Sequence, residues 1–84
     1  MSLEDLVQGS MSRTELTRFI DQLADSFVEE SETWENDSLE RFLRAWAVWL
    51  FEMDGYFKNI GQPVPESPSW QLIAQMLLAA RVYE

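Results

Sequence analysis

Residues 67–84 read SPSWQLIAQMLLAARVYE, and this closing stretch decides how the rest of the chain must fold. Ser67 can cap a helix, and Pro68 suits the first helical position, where its missing N–H costs nothing. From there to about Tyr83 the apolar residues crowd every side, leaving Gln71, Gln75 and Arg81 to face water. A helix that is apolar nearly all round belongs inside. In a chain with two other long helices, that position requires packing against both of them, or against another copy of the protein.

The next helix inward starts at Asn36-Asp37-Ser38, whose short polar side chains can accept from free backbone N–H groups, and Gly55 offers its stop. Between them Leu39, Phe42, Leu43, Trp46, Trp49, Leu50 and Met53 recur at helical spacing and form one broad apolar face. Arg44, Val48 and Phe51 follow each other at steps of four and three, so they point away from that stripe. This helix is apolar on two sides.

Further upstream, Ser12 and Glu15 have the spacing of a capping box, with Met11 and Leu16 beside them as a hydrophobic staple. Leu16, Phe19, Ile20, Leu23, Phe27 and Val28 then mark one face of a helix running to about Glu30. Its other face is polar. The reading is an all-α fold, a compact bundle of three main helices at about 13–30, 37–54 and 68–83. A long loop packs between the last two, since Tyr56, Phe57, Ile60 and Val64 fall within it. Residues 11–84 form the single helical domain, and 1–10 are flexible or make one short helical turn.

The chain has 84 residues, of which 46% are hydrophobic and 13% aromatic, so there is room for one domain with a core rich in Trp and Phe. Fifteen acidic residues against six basic ones give a formal charge of −9. With no basic stripe to displace counterions from phosphate, nucleic acid is not an expected partner, and an anionic membrane is disfavoured for the same reason. Glu4 and Asp5 stand where a signal peptide would carry basic charge, so we expect a cytoplasmic protein.

A scattered pattern runs through the chain: Trp34-Glu35-Asn36, Leu39-Glu40, Phe42-Leu43, Trp49, Asp54-Gly55-Tyr56, Asn59, Pro68-Ser69-Trp70, Ala79-Ala80 and the closing Tyr83-Glu84. Over residues 12–84 it resembles a family of small acidic bacterial proteins catalogued only as a domain of unknown function. The resemblance implies a bacterial origin and a domain that runs to the end of the chain. It supplies no catalytic residue, cofactor or partner.

Catalysis has little to build on. The chain contains no His and no Cys, which removes the commonest general base and the thiol nucleophile, and we expect no enzyme. No cofactor is implied. The densest acidic run, Glu29, Glu30, Glu32, Glu35 and Asp37, lacks the spacing of a calcium loop and reads as a solvated connector whose last carboxylates favour the next helix start, so no metal site is assigned. Trp34, Asp54, Tyr56 and Asn59 are the candidate pocket, a polar cluster beside an aromatic wall where Glu52 and Lys58 also fall. Trp46, Trp49 and Trp70 read as core.

Arg44, Val48 and Phe51 are the candidate interface, because large apolar residues flanked by Arg on a helix back have the composition of one. The alternative is cover by the first helix or the long loop. Three functional readings follow. The first is a non-enzymatic protein–protein interaction module whose acidity steers it to a basic partner. The second is a homodimer in which the last two helices extend a shared core. The third is a small-ligand binder using the Trp- and Tyr-rich region.

Overall fold

The computed structural model describes residues 3–83 and contains no strand among them. Met1 and Ser2 of the expected 1–10 segment, and Glu84 of the closing Tyr83-Glu84 pair, lie outside the described residues. Four helices follow in order: α1 (Leu3–Leu6), α2 (Arg13–Glu30), α3 (Leu39–Asn59) and α4 (Trp70–Ala80). A 3-10 turn (Ser31–Thr33) closes α2. The all-α bundle expected from the sequence is the fold.

The capping box forms as the sequence spacing requires. The Glu15 N–H donates to Ser12 Oγ at 3.1 Å, and the Ser12 N–H donates to Glu15 Oε1 at 2.9 Å. The Ser12 backbone N–H, and then its hydroxyl, hold the Glu15 carboxyl below the ordinary carboxylate value. Leu16, Phe19 and Leu23 are the buried part of the apolar face of α2, whereas Ile20, Phe27 and Val28 of the same expected face stay exposed.

α4 is central, with α2 on one side and α3 on the other, and α2 and α3 meet little directly. Leu16, Phe19 and Leu23 of α2 pack with Ala74 and Leu78, while Trp49 and Phe57 of α3 pack with Leu72 and Met76. Two clusters thus share one helix. That is the inside position its nearly unbroken apolar sequence demands. The arrangement is thin, with extents of 34 × 27 × 18 Å.

Four boundaries differ from the sequence reading, the first being the start of α3 at Leu39, capped by Ser38, rather than at 37. Gly55 does not end α3; the helix runs on to Asn59, and Gly61, with φ +71°, makes the left-handed exit instead. Continuing costs about 1 kcal/mol for a helical Gly. It brings Phe57 to 3% exposure against α4, and burying a Phe contributes about 1.5–3 kcal/mol, so the longer helix wins. The connection to α4 is therefore residues 60–69. Tyr56 and Phe57 belong to α3, and the loop is exposed apart from half-buried Pro65, so the expected packed loop is not what forms.

α4 starts at Trp70 rather than 68, capped by Ser69, whose Oγ accepts from the Leu72 N–H at 3.0 Å. Serines flank Pro68 on both sides, and either has the chemistry of a cap. Trp70 lies at the rim and is 45% exposed, not part of the expected core. α4 ends at Ala80, three residues early, and the Val82 and Tyr83 N–H groups beyond it both donate to the Ala79 carbonyl.

α1 and the residue after it close the remaining side of α4. Val7 is buried with Phe19 and Leu78, and its carbonyl accepts from Gln71 Nε2 at 2.8 Å. Arg81 donates to Glu4 across 3.2 Å and to the Leu78 carbonyl at 3.1 Å. Gln71 and Arg81, expected to face water, are half-buried in these contacts.

Candidate functional site

α3 presents far more apolar surface than α4 can cover. Trp49 is buried against α4, and Phe42, Trp46 and Met53 are half-buried, with the Trp46 indole N–H on the Met76 sulfur at 3.2 Å. Leu39, Leu43 and Leu50, which the sequence places on the same broad face, remain exposed. The cause is width. Seven large residues spread over about a third of the helix circumference, and one neighbouring helix covers only its centre.

Neither the first helix nor the loop covers the back of α3. Phe51 is 89% exposed and Val48 42%. Arg44 lies beside them and holds Glu40 at 3.0 Å on the solvent side. Phe51, Ala47, Leu43 and Leu50 follow each other round the helix, so the back and the uncovered half of the front form one apolar surface. The sequence reading placed Leu39, Leu43 and Leu50 in the broad apolar face and left them out of the candidate interface. The signal available was the width of the stripe set against only two other helices.

Trp34 and Asn36 organise a second feature, the link between α2 and α3. The Trp34 ring meets Phe27 edge-on at 5.1 Å and stacks on Phe42 at 5.7 Å, and its indole N–H reaches Ser26 Oγ at 3.4 Å. Asn36 turns the other way. Its amide donates to the Ala80 and Tyr83 carbonyls at 2.9 and 2.8 Å, and its backbone N–H donates to the Arg81 carbonyl at 2.8 Å. Carbonyls freed at the end of α4 are thereby satisfied by one residue. Beside this link an apolar cleft of about 320 Å³ opens between α2 and α3, with Ile20, Phe27, Trp34, Leu39 and Phe42 on its walls and Leu77 in its floor.

The expected pocket does not assemble around Trp34. Trp34 stacks at the first turn of α3, while Tyr56 lies 14 residues beyond Phe42, about 21 Å along the helix. Because α3 continues through Gly55, Asp54 and Tyr56 are two positions apart in one helix and face nearly opposite ways, about 200° round. Tyr56 packs on Trp49 and Phe57, with ring centroids at 5.5 and 5.1 Å. Asp54 and Asn59 are exposed.

Glu52, the other carboxylate of that region, accepts from the Tyr83 hydroxyl at 2.6 Å and ties the end of the chain to α3. This bond raises the Tyr83 hydroxyl above its ordinary value, with a smaller contribution from desolvation. A raised value in the folded chain means that stability from this bond is fully present below the ordinary tyrosine range. It is lost as pH rises through the folded value. Alkaline unfolding should accordingly be shallower for Tyr83→Phe than for the native chain, as followed by circular dichroism, and identical alkaline limbs would refute this role.

The acidic run is dispersed. Glu29 and Glu30 end α2, Glu32 sits in the 3-10 turn, and Glu35 and Asp37 follow in the link, where Asp37 pairs with Arg41 at 3.3 Å. Among the described residues no three acidic side chains are gathered as metal ligands would be. No helix among them is long and apolar enough to cross a membrane.

A family of unknown function (DUF7660) matches residues 12–84, and the chain belongs to it. No curated protein and no solved structure matches.

Proposed function

We propose that this chain is a non-enzymatic protein–protein interaction module that docks through the exposed apolar face of α3. The observation that carries the reading is the placement of Leu43, Val48, Leu50 and Phe51 in solvent side by side on one helix. Scattered exposed apolar residues are ordinary, but a contiguous set rimmed by Glu40, Arg44 and Asp54 has the apolar centre and polar rim of an interface. The absence of His and Cys supports a role without catalysis. The charge of −9 supports a basic partner where the occupant of that face is a foreign protein.

The test is a photoreactive phenylalanine analogue at position 51, irradiated in the cell that makes the protein, with the same analogue at exposed Thr17 as control. Adducts at 51 and not at 17, to any protein, are the expected result. No adduct at 51 beyond the control would overturn the reading.

The apolar cleft beside Trp34 favours a second reading, a site for a small apolar ligand. Its walls offer shape and aromatic surface, while the Asn36 amide is already committed to α4. Such a ligand would change Trp fluorescence, and Phe42→Ala would abolish the change.

A further inference from the structure

Six exposed residues of α3, Glu40, Arg44, Ala47, Phe51, Asp54 and Lys58, are spaced by steps of four, three, four, three and four. That is the spacing of a coiled-coil seam, one stripe along one face. Read along the helix, the stripe runs acid, base, small, large, acid, base. From this pattern we infer that the partner of the α3 face is a second copy of this chain, lying antiparallel along α3. The inference rests on the reading of that face as a docking surface and deepens it by naming the occupant.

The order of charges selects the arrangement. With a second α3 reversed so that residue numbers of facing positions sum to 98, Glu40 faces Lys58 of the second copy and Arg44 faces Asp54 of the second copy. Ala47 then faces Phe51 of the second copy, a large side chain over a small one, as a knob needs a hole. The two-fold axis repeats every one of these contacts. Sliding the second helix by one turn in one direction sets Glu40 against Asp54, and in the other direction it sets Arg44 against Lys58. A parallel pair in register sets each charge against itself. Of these arrangements only the reversed register opposes unlike charges throughout.

Charge distribution points to the same occupant. α3 carries Glu40, Glu52 and Asp54 against Arg41, Arg44 and Lys58, so it has no net charge in a chain whose formal charge is −9. All of the excess acid lies outside α3. Two copies can therefore meet along this helix without bringing their net charges to the contact, and at physiological salt charges more than about 8 Å apart are largely screened. The Glu40–Arg44 pair, 3.0 Å apart within one helix, would meet Asp54 and Lys58 of the second copy and form a group of four alternating charges at each end.

Sedimentation equilibrium of the full chain tests this. The native protein should associate reversibly to a dimer, and Phe51→Asp, at the centre of the contact, should weaken the dimer by about 30-fold or more, the mark of an interface hot spot. Arg44→Glu and Asp54→Arg should each weaken self-association, because each sets like charges opposite one another at both ends. Mixed in equal amounts, the two variants should recover native-like association, since the introduced carboxylate at position 44 of one then faces the introduced guanidinium at position 54 of the other. Both variants change exposed residues, and circular dichroism checks that each stays helical. Distance between spin labels at Glu40→Cys and Lys58→Cys, one on each copy, should be short, which a parallel pair would not give. A native chain that is monomeric at every concentration, a dimer indifferent to Phe51→Asp, or charge variants that fail to recover on mixing would each overturn the proposal. Adducts at position 51 to a foreign protein alone would sink the second copy as occupant while leaving the docking surface in place.

Discussion

Phe19→Ala is expected to lower folding stability by about 3–5 kcal/mol, the usual loss for emptying a core Phe site. Phe19 is 1% exposed and is the largest side chain so completely enclosed. It packs among Val7, Leu16, Leu23, Ala74 and Leu78, so one ring joins the segment after α1, the α2 face and the inner side of α4. The neighbours are poorly placed to fill the gap, because Ala74 has no side chain long enough to reach in. Domains of this size have only about 4–13 kcal/mol of stability in all, and each kcal/mol moves the thermal midpoint by about 4–8 °C. A fall of tens of degrees is the expected reading by calorimetry. Phe27, exposed at the edge of the cleft, supplies the comparison: its replacement by Ala should cost much less. Equal losses at the two sites would mean that the α2–α4 cluster is not the centre of the core.

The features legible in the sequence are those whose cause is local. Ser12 and Glu15 are three residues apart, and the reciprocal capping bonds form where that spacing puts them. Apolar periodicity marks α2, α3 and α4 because it is itself the record of one face meeting a core. Gly55 misleads for the opposite reason. A glycine is a good stop in isolation, but whether the helix stops depends on what the next residues can bury, and Phe57 finds Leu72 and Met76 on another helix. The width of the α3 stripe was equally visible. The central place of α4 was visible too; what was not is that α3 would have α4 as its main helical neighbour and keep its far side in water, while α2 also meets the short α1.

The candidate interface and the candidate pocket fared differently under the same physics. Arg44, Val48 and Phe51 share a face because their spacing alone places them there, whatever else the chain does. Trp34, Asp54, Tyr56 and Asn59 share a region only if the chain turns at Gly55, and a continuous helix separates them. A shared face inferred from helical spacing thus survives errors in the helix ends, whereas a cluster inferred from a turn does not. The same argument favours the α3 stripe as the surface to test, since its 4-3 spacing lies wholly inside the helix.

Asn36→Asp is the substitution whose outcome is most specific to this fold. The Asn36 amide is a donor to two carbonyls, those of Ala80 and Tyr83, and no sequence rule pairs residues 44 and 47 positions apart. An ionised carboxylate in its place would face two carbonyl oxygens at the negative end of a helix, with no proton to offer either. Losing the two bonds and adding that repulsion should cost roughly 2–4 kcal/mol at neutral pH. The introduced carboxyl should titrate above its ordinary range, because only its protonated form can donate to a carbonyl. A raised folded value means that the stabilising contact is present at acid pH and is lost as pH rises through that value, so the variant should approach the native chain on acidification. Asn36→Leu removes the bonds without adding a charge and should show its loss at every pH. Denaturant unfolding across the acid range separates the two, and an Asp variant whose deficit is the same at acid and neutral pH would show that the end of α4 is held in some other way.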